Sequence, residues 1–132
     1  MKAIVTGSSG FLGKSLVRNL REDGAKVIRL VRNDSKIDST SILWDPMTGI
    51  TDIQSLENSK VVFHLAGENL ANGRWTVSRK KRIRDSRVIG TKTLVDSLIK
   101  LEQPPDVLVC ASAVGIYGDR PGELVTEESP AG

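Results

Sequence analysis

Apolar residues fall into short unbroken runs along this chain, and between the runs they recur every three or four positions. The first run is Lys2-Ala-Ile-Val-Thr6, after which Leu12, Leu16, Val17 and Leu20 keep helical spacing to about residue 22. This predicts a strand over residues 2–6 and a helix that Gly24 stops. Residues 26–31 read as a second buried strand, and residues 41–44 as a brief third one. A turn at Asp45-Pro46 and a short helical segment near residues 51–57 follow. Residues 60–65, Lys-Val-Val-Phe-His-Leu, have the near-continuous apolar character of a parallel strand covered on both faces. Ala-Gly-Glu-Asn-Leu-Ala-Asn-Gly, next in the chain, has the composition of a loop. The longest helix is expected from about residue 76 to 102, where Ile83, Arg87, Gly90, Leu94, Leu98 and Leu101 keep three- and four-residue spacing. Gly90 and Thr91 are small where that helix would press on a sheet. Pro104 and Pro105 end it, and residues 106–111 form a fifth strand before Ser112, a glycine-containing turn and a polar tail.

Strands alternating with helices predict an α/β fold, a doubly wound parallel sheet with right-handed crossovers and strand order 3-2-1-4-5, ending after the fifth strand. Ligands of such sheets sit outside the carboxyl ends of the strands, where the order reverses between the first and fourth strands. The loops after residues 6, 31, 44, 65 and 111 are therefore expected to converge on one ligand. Gly7, Gly10 and Gly13 stand at this point, between the first strand and the first helix. The first glycine permits a tight turn, the second a close approach of the backbone to phosphates, and the third close packing of helix on strand. The spacing is G-x-x-G-x-x-G rather than G-x-G-x-x-G, but it lies within a complete β-turn-α-β unit of about thirty residues. A bound dinucleotide explains the pattern better than glycines kept only for packing.

Composition narrows the class. At 132 residues, residues 1–132 read as one domain, large enough for a core but short for an enzyme that must also enclose a substrate. A hydrophobic content of 39% and a charged content of 27% are those of a soluble globular protein, and no run approaches the ~20 apolar residues of a membrane span. Met1 directly precedes the first strand, Cys110 is the single cysteine, and no Cys/His cluster offers metal ligands. These features point to a cytoplasmic protein without disulfide, zinc or membrane anchor. Part of the net charge of +3 comes from residues 74–87, where Arg74, Arg79, Lys80, Lys81, Arg82, Arg84 and Arg87 face only Asp85. Such a run could bind nucleic acid, although few aromatic residues lie within it to stack on bases. A solvated helix face, or a role near a cofactor phosphate or anionic substrate, explains the excess as economically.

The motifs Thr6-Gly-Ser-Ser-Gly-Phe-Leu-Gly13, His64-Leu-Ala-Gly-Glu-Asn69, Ser86-Arg-Val-Ile-Gly-Thr91, Ala111-Ser-Ala-Val-Gly-Ile-Tyr-Gly-Asp119 and Thr126-Glu-Glu-Ser129 span nearly the whole chain. In this order they resemble the extended short-chain dehydrogenase/reductases, and among them the atypical sugar-nucleotide epimerase-like branch. The resemblance implies a Rossmann-like NAD(P)-binding domain in which the backbone at Ser9, Gly10, Phe11 and Leu12, with Gly7 and Gly13, holds the pyrophosphate. Leu65, Ala66 and Gly67 would line the ribose and nicotinamide side, and Asp45 would meet the adenine amino group, unless Asp45 merely starts a turn. His64, inside a buried strand, reads as a satisfied core residue. At the end of the second strand, Arg32 offers charge to the 2′-phosphate of NADP(H), with Ser9 and Lys36 as helpers. A rival placement lets Asp34 reach the ribose and restores NAD(H).

Family members transfer hydride with a serine on the substrate oxygen and a Tyr-x-x-x-Lys pair as acid and base. Ser112 matches the serine. Tyr117 is not assigned as the base, because Pro121 stands where the lysine would be, and Arg87 occupies a position where many members carry an asparagine. The resemblance thus implies the N-terminal, cofactor-binding part of a protein about twice as long, with the substrate-binding portion outside residues 1–132. The expected function is NADP(H)-dependent hydride transfer on a sugar nucleotide or another small hydroxyl or carbonyl substrate. A non-catalytic module that senses NADP(H), and nucleic-acid binding through the basic helix, stand as alternatives. A homodimer through the helix near residues 76–102 is a further implication.

Overall fold

The computed structural model describes residues 1–32, 37–71 and 73–132. Strand β1 (Lys2–Thr6) is central and pairs in parallel with β2 (Lys26–Val31) on one side and β5 (Val61–His64) on the other. Outside these lie β3 (Ser41–Asp45), parallel to β2, and β6 (Val107–Cys110), parallel to β5. The five parallel strands thus stand in the order expected from the alternation of strands and helices. A two-residue strand, β4 (Gly49–Ile50), extends the sheet to the order β4-β3-β2-β1-β5-β6 by pairing antiparallel with β3. It was not legible as a strand because its hairpin is made by local turn chemistry: Asp45 Oδ1 accepts the Met47 N–H at 2.7 Å, and Thr48 N–H donates to the Asp45 carbonyl at 3.2 Å. The segment expected as helical near residues 51–57 is a single 3₁₀ turn, Gln54–Leu56, which places Leu56 in the core.

Helix α1 (Phe11–Glu22) and helix α2 (Val77–Leu98) cover opposite faces. Val17 of α1 packs with Val5 and Val27, whereas Leu94 and Leu98 of α2 pack with Ile4, Leu30, Trp44, Leu56 and Val62. The alternation of side chains along β1 and β2 sends neighbouring residues to different layers. Helix α1 ends in a Schellman closure in which Ala25 N–H donates to the Leu20 carbonyl at 2.8 Å and Gly24 takes φ of +78°. Helix α2 begins at Thr76, whose hydroxyl accepts the Arg79 N–H at 3.3 Å, and stops at Leu98 rather than near residue 102. The carboxylate of Glu57 accepts the N–H groups of Glu102 and Gln103, each at 2.9 Å, and so diverts them from the helix before the prolines are reached. Beyond β6, Gly132 N–H donates to the Ile116 carbonyl at 2.9 Å and Arg120 holds the carbonyls of Tyr117 and Pro130, so the polar tail closes on itself. Among the described residues no helix is long and apolar enough to cross a membrane.

Candidate functional site

β1 delivers the chain to Gly7, which takes φ of +66°. A Cβ there would lie 2.7 Å from the backbone of Leu65 and 2.9 Å from Ala66 N. Beneath the turn, a Cβ on Gly13 would lie 2.2 Å from the Gly7 carbonyl oxygen. Gly10 N–H closes the turn on that same carbonyl at 3.0 Å, and α1 then starts with neither a side-chain cap nor an acidic residue in its first turn. Its leading N–H groups therefore remain available to an anion at the positive end of the helix.

The turn opens onto a cavity of about 490 Å³ at the carboxyl ends of β1, β2, β3 and β5. Seven of the expected residues meet there: Gly7, Ser9, Gly10, Arg32, Leu65, Ala66 and Gly67. Ser8, Leu30, Val31 and Trp44 also line it and were not singled out from sequence. Their signal was their place in the chain, next to the glycine turn and at the carboxyl ends of the second and third strands. Gly13 lies under the turn, while Phe11 and Leu12, 91% and 65% exposed, are not among the residues lining the cavity. Asp45 borders an adjoining groove of about 730 Å³ that shares Arg32 and Trp44 with the cavity. Ser112 follows β6, is exposed and lines neither space. The expectations for Asp34 and Lys36 lie outside the described residues.

The cavity wall formed by Leu65, Ala66 and Gly67 is held from behind. Thr6 Oγ1 accepts the N–H groups of Leu65 and Ala66 at 3.2 and 3.1 Å and meets His64 Nδ1 at 2.8 Å. His64 Nε2 meets Thr91 Oγ1 at 3.1 Å, and the ring sits edge-on to Trp44 with centroids 6.1 Å apart. His64 is thus buried with both nitrogens partnered, as its place in a core strand suggested. Burial pushes its pKa below the ordinary imidazole value. Helix α2 adds Ser86, whose hydroxyl accepts the Glu68 N–H at 2.9 Å, and Arg87, whose guanidinium forks onto the Glu68 carbonyl at 3.3 Å.

The basic run of α2 is largely occupied. Lys81 and Arg84 pair with Asp85, Arg82 lies 3.8 Å from a Glu68 carboxylate oxygen, and buried Arg79 donates to the Asn69 carbonyl at 2.6 Å. Away from the site, hydrogen bonds from Thr40 and then Arg29 hold the Asp38 carboxyl well below the usual carboxylate range. Among the described residues no group of three His, Cys, Asp or Glu side chains is placed to hold a metal ion.

Comparisons with known proteins agree with this geometry. The sequence profile of the NAD dependent epimerase/dehydratase family matches residues 3–131. Epimerase family protein Mb2239 of Mycobacterium bovis is 35% identical over 128 residues, covering 97% of this chain and 42% of that protein. The crystal structure of human epimerase family protein SDR39U1 (isoform 2) with NADPH superposes with a TM-score of 0.82 at 29% identity, over 99% of this chain and 43% of the human one. MoeE5 in complex with UDP-glucose and NAD gives a TM-score of 0.78 at 26% identity, over 99% of this chain and 42% of MoeE5. The chain spans about two-fifths of the length of the curated relatives it matches. With its glycine turn, sheet order and motif sequence in agreement, the chain belongs to the NAD dependent epimerase/dehydratase family.

Proposed function

We propose that this chain binds NADP(H) in the cavity at the glycine turn and is the cofactor-binding part of an epimerase- or reductase-like enzyme. Its substrate would be a sugar nucleotide or another small hydroxyl or carbonyl compound. The observation that carries the reading is the cradle itself, because a Cβ at Gly7 or Gly13 would collide with backbone rather than with a flexible side chain. That close backbone packing supports a turn whose N–H groups face phosphate. When bound, the nicotinamide supplies a hydride acceptor or donor. The Ser9–Leu12 backbone holds the pyrophosphate, Leu65, Ala66 and Gly67 line the ribose and nicotinamide side, and Asp45 serves the adenine edge. Ser112 hydrogen-bonds the substrate oxygen and orients it, while the acid/base pair comes from residues outside this chain.

Arg32, at the carboxyl end of β2 and on the cavity wall, supports the phosphorylated cofactor, since a guanidinium matches a 2′-phosphate and repels no group of it. NADPH in the human relative and NAD in MoeE5 are both compatible with the cradle. Side-by-side fluorescence titration with NADPH and NADH at near-physiological salt tests the assignment. NADPH is expected to bind more tightly, and Arg32→Ala is expected to weaken NADPH by about tenfold or more while leaving NADH within about twofold. Equal affinities unaffected by the substitution would overturn the preference for NADP(H). Binding of neither cofactor would overturn the reading of the site.

A further inference from the structure

Behind the cavity lies a chain of polar groups that the reaction itself does not use. Thr6, on the last residue of β1, and His64, on the last residue of β5, stand side by side in the parallel register. Both are buried, with 0% and 2% exposure. Thr91 reaches His64 from α2. Three elements of the fold therefore meet at one imidazole.

Counting donors and acceptors settles which proton sits where. Thr6 Oγ1 already accepts two backbone N–H groups, from Leu65 and Ala66, which occupy its two lone pairs. Its contact of 2.8 Å with His64 Nδ1 can then be made only by the threonine hydroxyl donating its own proton. Nδ1 is consequently the bare nitrogen, Nε2 carries the hydrogen, and Nε2–H donates to Thr91 Oγ1. A proton on Nδ1 would face an oxygen with no lone pair left and would release one of the two wall N–H groups. Burial of the ring acts in the same direction, by disfavouring the charged imidazolium. The partners facing the ring are two hydroxyls and the Trp44 indole, none of which titrates near neutrality.

We propose that Thr6, His64 and Thr91 are positioning residues, a hydrogen-bonded relay locked in the Nε2–H tautomer that fixes the Leu65–Ala66 wall against the glycine turn and so sets the width of the cofactor cavity. The close fit of that wall to Gly7 is what makes the placement consequential: Leu65 and Ala66 backbone atoms fill the space where a Gly7 Cβ would stand. A wall released by a few tenths of an ångström changes the cavity at the point where the backbone must approach the ligand. This inference rests on the cavity being the cofactor site.

His64 is the only histidine in the sequence, so its ring nitrogens can be read by long-range ¹H–¹⁵N correlation without assignment. The full chain is expected to show a single neutral Nε2–H tautomer at pH 8. Thr6→Val, which keeps the shape and removes the hydroxyl, is expected to mix the tautomers and to weaken NADPH binding by at least about tenfold. Thr6→Ser is expected to restore both within about threefold. An Nδ1–H tautomer in the unsubstituted chain, or Thr6→Val that binds NADPH within about twofold of it, would overturn the relay. Should Thr6→Val fail to fold, Thr91→Val puts the same question from the helix side: the tautomer, set by Thr6, is expected to stay Nε2–H while NADPH binding weakens, and an affinity within about twofold of the unsubstituted chain is again the overturning result. Failure of the unsubstituted chain to bind NADPH would instead remove the cofactor reading on which the relay rests, and the tautomer measurement keeps the two failures apart.

Discussion

Two glycines near opposite ends of α1 illustrate what one residue can decide. Gly13 is crowded: an added Cβ would meet the Gly7 carbonyl oxygen at 2.2 Å and Ser8 Cα at 2.8 Å, so Gly13→Ala must push the turn away from the helix. A loss of about 1–3 kcal/mol in urea unfolding, together with weakened NADPH binding, is expected. Gly24 has φ of +78° but open space around it, so Gly24→Ala is expected to cost about 1–2 kcal/mol of backbone strain and to leave NADPH affinity unchanged. Equal effects of the two substitutions on binding would contradict the separation of cradle from cap. His64 adds a pH dependence at the same scale. Its folded pKa lies below the unfolded value near 6.5, so the unfolded chain takes up the proton first on acidification. The neutral ring's contribution is complete above about pH 6.5 and is lost as pH falls through the folded pKa, with a slope approaching about 1.4 kcal/mol per pH unit. Urea midpoints at pH 7.5 and 5.5 check this, and His64→Gln is expected to flatten the difference. The depressed carboxyls of Asp38, Asp52 and Glu128 titrate below that window and leave it clear.

Between elements, the decisive interactions join parts of the chain that local pattern cannot connect. The 3.6-residue period located α2, but its final turn depends on Glu57, 45 residues before the N–H of Glu102 that it accepts. Glu57→Ala is expected to lower stability by about 1–2 kcal/mol and to increase hydrogen exchange at residues 99–103, with no change in cofactor affinity. Protection factors unaltered there would show that the prolines alone end the helix. The hairpin of β3 and β4 makes the same point for the sheet. Pro46 stands in a turn and is 3.4 Å from where a Gly90 Cβ would lie, so the small residue in α2 admits the turn rather than the sheet surface. The sequence marked Gly90 as a place of close approach. It did not reveal what approaches.

For the whole molecule, the uneven covering of the sheet matters most. Helices lie over β1, β2 and β5, whereas Val107, Leu108 and Val109 of β6 are 51%, 39% and 43% exposed at an edge whose outer side pairs with no other strand among the described residues. A solvent-exposed apolar edge strand is a template for association. Light scattering after size-exclusion chromatography is expected to show concentration-dependent self-association that Val109→Lys suppresses, and a monomer at every concentration would contradict it. What the sequence by itself determined was the alternation of buried strands and amphipathic helices, the parallel order that follows, and the glycine turn at the switch point. These depend on backbone preference and on periodic burial, which neighbouring residues set locally. Only the tertiary structure decided that Leu30, Val31 and Trp44 join the cavity, that Phe11 and Leu12 lie outside its lining, and that one histidine ties three elements together. Each of these depends on strand register and helix packing between residues dozens of positions apart, and no local preference encodes such a distance.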